Sequence, residues 1–130
     1  MSTTTAAIAN YSQSSAVTAS PHEVVLLAYE RVLTACNRAE HADRVRPPMW
    51  MQMFHNETVL AQAILVELST GLSLDSGDQE VVDLAEKLDS LYRYAAQQLA
   101  QANVKKSSSP LAVVHMIVDG LRDAWACSEL

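Results

Sequence analysis

Apolar side chains return every three or four residues along four long stretches of this chain, a period that admits few folds. The first stretch carries Val25, Tyr29, Val32, Cys36 and Ala39, with Ala28 and Leu33 at its edges. The second carries Met49, Met53, Leu60, Ile64, Leu68 and Leu72, with Ala61 and Leu65 beside them. Val81, Leu84, Leu88, either Leu91 or Tyr92, Ala95, Leu99 and Ala102 mark the third. The fourth has Val113, Ile117, Gly120, Leu121 and Ala124, flanked by Leu111 and Val114. Three Gly and four Pro leave little turn chemistry for a many-stranded sheet. A single Phe leaves most core filling to aliphatic side chains and alanine. The pattern predicts an all-α fold, an antiparallel four-helix bundle.

Helix boundaries follow from local chemistry. Ser20, Pro21 and Glu23 form the clearest start: a capping hydroxyl, a proline at the first helical position and an acid three residues past the cap. The expected helices cover 21–41, 48–72, 78–103 and 110 onward, the last with Ser109 as its cap. The Pro47-Pro48 pair blocks helix through the first connection. Asp75, Ser76, Gly77 and Asp78 supply the second turn, and Lys105 and Lys106 lie in the third connection. Asp83–Lys87 and Asp89–Arg93 are spaced to pair across one turn. Gly120 would permit close backbone packing. Residues 1–16, rich in Ser, Thr and Ala, read as a flexible N-terminal arm, or as an arm that docks Ile8 and Tyr11 into a groove. Residues 17–130 form the helical domain.

The charge of −6 disfavours phosphate backbones and anionic lipid, so nucleic acid and membrane insertion are not expected. The start of the chain lacks a basic and apolar secretory signal, and no run reaches the length of a membrane span, which points to the cytoplasm. Cys36 and Cys127 match no zinc or disulfide framework and read as buried thiols. His22, His41, His55 and His115 lie in separate segments. No phosphate loop, nucleophile elbow or dinuclear carboxylate pattern appears, so neither an enzyme nor a cofactor or metal is expected. The run Met49 to Phe54 holds three Met, a Trp and a Phe, too many for one buried face. It reads as a broad core face with exposed edges, or as a partner surface through which two copies form a homodimer.

Several fragments, in order, carry a resemblance to a known family. Tyr11 is followed by Val17-Thr18-Ala19-Ser20-Pro21 and Leu27-Ala28-Tyr29. Then come Ala61-Gln62-Ala63-Ile64-Leu65-Val66-Glu67-Leu68 and Leu72-Ser73-Leu74-Asp75. Leu91-Tyr92-Arg93-Tyr94, Leu99-Ala100-Gln101-Ala102-Asn103 and Leu121-Arg122-Asp123-Ala124-Trp125 complete the series. The chain resembles the flagellar export chaperones over most of its length. That resemblance implies a cytosolic, non-enzymatic bundle that holds the disordered C-terminal region of flagellin, prevents premature polymerisation and delivers it to the flagellar export apparatus. It also implies an arm, through Ile8 and Tyr11, that occupies a groove. The groove candidates are Leu60, Ala61, Ile64, Leu65, Leu68, Leu91, Tyr92 and Ala95, some of which must be core. Trp125 reads first as a packing anchor. Two departures stand out: Leu60 replaces a common Lys, and the region 45–54 is unusual. The rival readings are a helical adaptor or regulator for another secretion protein and the homodimer.

Overall fold

The computed structural model describes residues 20–127. Within them run four helices: α1 (Pro21–Val45), α2 (Trp50–Thr70), α3 (Gln79–Lys105) and α4 (Ser109–Ala126). Each helix packs on its neighbour in the chain, and α4 closes against α1. The result is an all-α four-helix bundle with α1 diagonal to α3 and α2 diagonal to α4. Side-chain contacts fix the antiparallel register. His55, Gln62 and Ser69 of α2 bond to Asn103, Ala96 and Asp89 of α3, seven residues forward against seven back. Such two-turn steps keep one edge of each helix facing the other along its length.

The Ser20 hydroxyl accepts from the Glu23 amide at 3.2 Å, as the sequence requires for the start of α1. The helix continues past the expected residue 41 to Val45. Ala42 to Val45 contain no breaker, and the first residue kept from α-conformation is Arg46, which precedes Pro47. Arg46 turns left-handed with φ 53° while its amide bonds to the Ala42 carbonyl. Met49, also left-handed at φ 65°, launches α2 without a side-chain cap. The helix therefore starts at Trp50 rather than Pro48 and ends at Thr70 rather than Leu72. Asp78 caps α3 through a bond from the Glu80 amide.

The cap of α4 is a second correction. Ser109 lies inside the helix, and Ser108 before it makes no side-chain cap bond. Asp43 of α1 substitutes: its Oδ2 accepts from the Ser108 amide at 3.1 Å. Asp43 Oδ1 accepts from Arg46 Nη2, and the Arg46 guanidinium lies 4.4 Å from the centre of the Trp50 ring. One carboxylate thus joins the end of α1, the turn into α2 and the start of α4.

The core is built mainly from Tyr29, Val32, Phe54, Leu65, Leu99, Val114 and Val118, with alanines drawing the helices close. Phe54 is fully buried, whereas Met49 and Met53, expected inside, are 74% and 44% exposed. Phe54, Thr58, Ala61 and Leu65 recur at helical spacing and claim the inner face, leaving those methionines outside. Val81 and Leu84 of the expected α3 stripe are likewise exposed; of the alternatives Leu91 and Tyr92 it is Tyr92 that is buried, with Ala85, Ala95, Leu99 and Ala102. On α4, Leu111 and Val114, expected on the flank, are core, together with Val118, which the expected stripe did not include. Gly120 is exposed, and a Cβ there would meet nothing within 4 Å, so it permits no close packing. Cys36 is buried but Cys127 is exposed, against the expectation of two buried thiols.

Candidate partner-binding surface

Tyr29 and Tyr92 meet across the diagonal of the bundle, hydroxyl to hydroxyl at 2.6 Å. Their rings project from α1 and α3 into the shared interior, where either hydroxyl alone would lack a partner. Burial, aided by the bond to Tyr92, pushes the Tyr29 phenol far above its ordinary value, and burial raises Tyr92 as well. Trp125 closes the end below them. Its Nε1 donates to the His22 carbonyl, and its ring stacks on His22 and meets Tyr29 edge-on. Trp125 is therefore the expected packing anchor. Tyr94 is exposed while Tyr92 is buried.

The groove candidates separate by helix face. Ala61, Ile64, Leu65, Tyr92 and Ala95 belong to the core. Leu60 and Leu68 are partly buried against it, and Leu91 is 39% exposed. Leu65 and Tyr92 meet at a cleft of about 320 Å³ between α2 and α3, together with Ser69 and Arg93. There the Ser69 hydroxyl donates to Asp89, which also pairs with Arg93 at 2.8 Å. The Ser69 bond, followed by Arg93, holds the Asp89 carboxyl below its ordinary range against the opposing effect of burial. Leu60 and Ile64 lie elsewhere. They follow Glu57, whose carboxylate faces Arg31 of α1, by three and seven residues and share its edge of α2. Ile8 and Tyr11 lie outside the described residues.

Leu91 looks the other way. Asp89, Ala96 and Asn103 turn toward α2, and a two-residue step from Asp89 carries Leu91 to the opposite flank of α3. Leu84, 57% exposed, and partly buried Leu88 share that flank, with exposed Tyr94 farther out. On α4, Met116 is 69% exposed and Val113 and Ile117 are half-buried. The apolar surface is thus larger on α3 and α4 than the α2-centred candidates implied. The signal was present in the excess of large apolar residues on α3. Its inner face needs mostly alanine, since Leu99 and Tyr92 fill the depth, and Leu84 and Leu91 are left facing out.

No described helix is long and apolar enough to cross a membrane. Among the described residues, no group of three or more His, Cys, Asp or Glu side chains converges as a metal site.

A family model described as "Flagellar protein FliS" matches residues 4–128. The chain is 30% identical over 115 residues to the flagellar secretion chaperone FliS of Bacillus subtilis, covering 88% of this chain and 80% of that protein. It is also 30% identical over 115 residues to the FliS protein of Campylobacter jejuni, covering 88% of this chain and 84% of that one. The Escherichia coli flagellar secretion chaperone FliS is 28% identical over 121 residues, covering 91% and 82% of the two chains. With its four-helix bundle and a family match spanning nearly its whole length, this chain belongs to the FliS family of flagellar secretion chaperones.

Proposed function

We propose that this chain binds the disordered C-terminal region of flagellin in the cytoplasm, keeps it from polymerising and supports its delivery to the flagellar export apparatus. The observation that carries the proposal is the row of exposed Leu84, Leu91 and Tyr94 on α3, with Met116 also exposed on α4. An unfolded client segment that folds against such a surface buries apolar area on both sides and loses the groups needed for self-assembly. Leu60 and Leu68, partly buried on α2, offer a further contact away from that row, and Ala61, Ile64, Leu65, Tyr92 and Ala95 form the core behind both. The mechanism is holding rather than catalysis and uses no cofactor. In the free protein, Ile8 and Tyr11 of the N-terminal arm cover part of the groove, and the client displaces them.

The test is titration of the full chain with the flagellin encoded in the same genome, followed by calorimetry and light scattering. One-to-one binding that disappears when the flagellin C-terminal tail is deleted is the expected outcome. Removal of residues 1–16 should change client affinity more than thermal stability. Absence of binding, or binding indifferent to the flagellin tail, would sink the proposal. The alternative homodimer through residues 49–54 loses Phe54, which is fully buried in the bundle, but retains exposed Met49, Met51 and Met53. Sedimentation of the free protein distinguishes it.

A further inference from the structure

The opposite edge of the bundle, between α1 and α2, holds a second surface with different chemistry. A cleft of about 410 Å³ lies there, lined in part by Arg38, His41, Met53 and Asn56. Met49 stands one helical turn beyond Met53, and Val45 ends the facing helix; all three apolar groups are exposed. The polar groups around them are strongly biased toward donation. Arg38 is the only arginine among the described residues for which no carboxylate lies within ion-pair distance. Arg44 can only donate, so its 3.3 Å contact makes His41 Nδ1 the acceptor and leaves Nε2 carrying hydrogen toward other partners. The Asn56 carbonyl oxygen already accepts from Gln52, which leaves its amide hydrogens to give. The one carboxylate in the lining, Glu57, is engaged by Arg31. One turn before Thr34 in that wall, Arg31 Nη1 is buried without an acceptor.

A donor-rich cleft with an unpaired guanidinium beside adaptable methionines is unusual on a chain of charge −6. We propose that the α1/α2 cleft is a docking site for an acidic segment of another protein, one that places a carboxylate on Arg38 and apolar side chains on Met49 and Met53. Charge complementarity selects the occupant. A basic segment would face the unpaired guanidinium, and an uncharged one would offer it only neutral acceptors, which bind it more weakly than a carboxylate does. The site is separate from the α3/α4 row invoked for the client, so the two surfaces can be occupied together.

The test uses the full chain and a blocked helical peptide of about four turns, with Glu along one edge and Leu along the adjoining edge. Its counterpart has every Glu replaced by Lys. Methionine methyl NMR reports the location, and calorimetry the affinity. The Glu peptide is expected to shift the Met49 and Met53 methyl signals and to bind at least about tenfold more tightly than the Lys peptide. Arg38→Glu should reverse that preference while the circular dichroism spectrum stays unchanged, because the side chain is exposed. Met53→Gln should weaken the Glu peptide without altering the charge preference. Equal binding of the two peptides, no saturable binding, or shifts confined to Met116 would overturn the proposal. So would sedimentation showing that Arg38→Glu disperses a self-associated form, since the cleft would then belong to a second copy.

Discussion

At the scale of single residues, the Tyr29–Tyr92 pair links interior polarity to the shape of the bundle. Replacing one tyrosine by Phe leaves the other hydroxyl buried without its partner, at a cost of about 1–3 kcal/mol. Replacing both removes two hydroxyls while keeping the rings. Chemical denaturation should therefore show the double variant Tyr29→Phe/Tyr92→Phe to be more stable than the two single losses summed. The pair also sets an alkaline limit. Both phenols have raised folded pKa values, so the folded chain retains protons that the unfolded chain releases near pH 10. Their contribution is intact below about pH 10 and declines as pH rises beyond it. The double variant should flatten that decline. A residual slope is expected from Cys36, whose thiol burial pushes up to about 12, with Glu40 adding to the shift. A parallel fall in wild type and double variant would refute the assignment.

At the scale of elements, two helix features give opposite predictions. Gly120 sits in the helical interior of α4 with open space where a Cβ would go. Gly120→Ala should raise stability by about 0.5–1 kcal/mol, read as a higher Tm. A lower Tm would mean that the position is not the open helical site described above. The cap of α4 lies in another helix, and Asp43→Ala should cost about 1 kcal/mol. Burial works to raise the Asp43 carboxyl, but hydrogen bonds from Ser108 and Arg46 outweigh it and hold its pKa below the ordinary value. The stabilisation is therefore present above the unfolded value of about 3.9 and is lost as pH falls through the lower folded value. The gap in unfolding free energy between wild type and Asp43→Ala should close through that acid range. A constant gap would separate the effect from carboxylate charge. The sequence announced the cap of α1, because Ser20 and Glu23 are near neighbours in the chain. The cap of α4 was hidden by distance: nothing local marks Asp43 as the acceptor for Ser108.

At the scale of the whole molecule, the four-helix bundle was legible because four amphipathic periods leave few ways to bury their apolar faces together. Which faces turned inward was less legible. Phe54 and Leu65 displaced Met49 and Met53 from the expected core, and Ala85 and Ala95 left Leu84 and Leu91 outside. Periodicity identifies a stripe, but the choice among competing stripes depends on volumes supplied by other helices. The groove candidates scattered for the same reason. Leu60 and Leu91 lie toward different edges of the bundle, although their family fragments appear as one ordered series in the chain. The bond from Ser108 to Asp43 also gives the fold a direction in time. During synthesis the first three helices emerge while that carboxylate still lacks its amide, so the end of α1 must wait for the start of α4. Stalling the ribosome before or after residue 108 has cleared the exit tunnel would thus expose two different states of the same first helix.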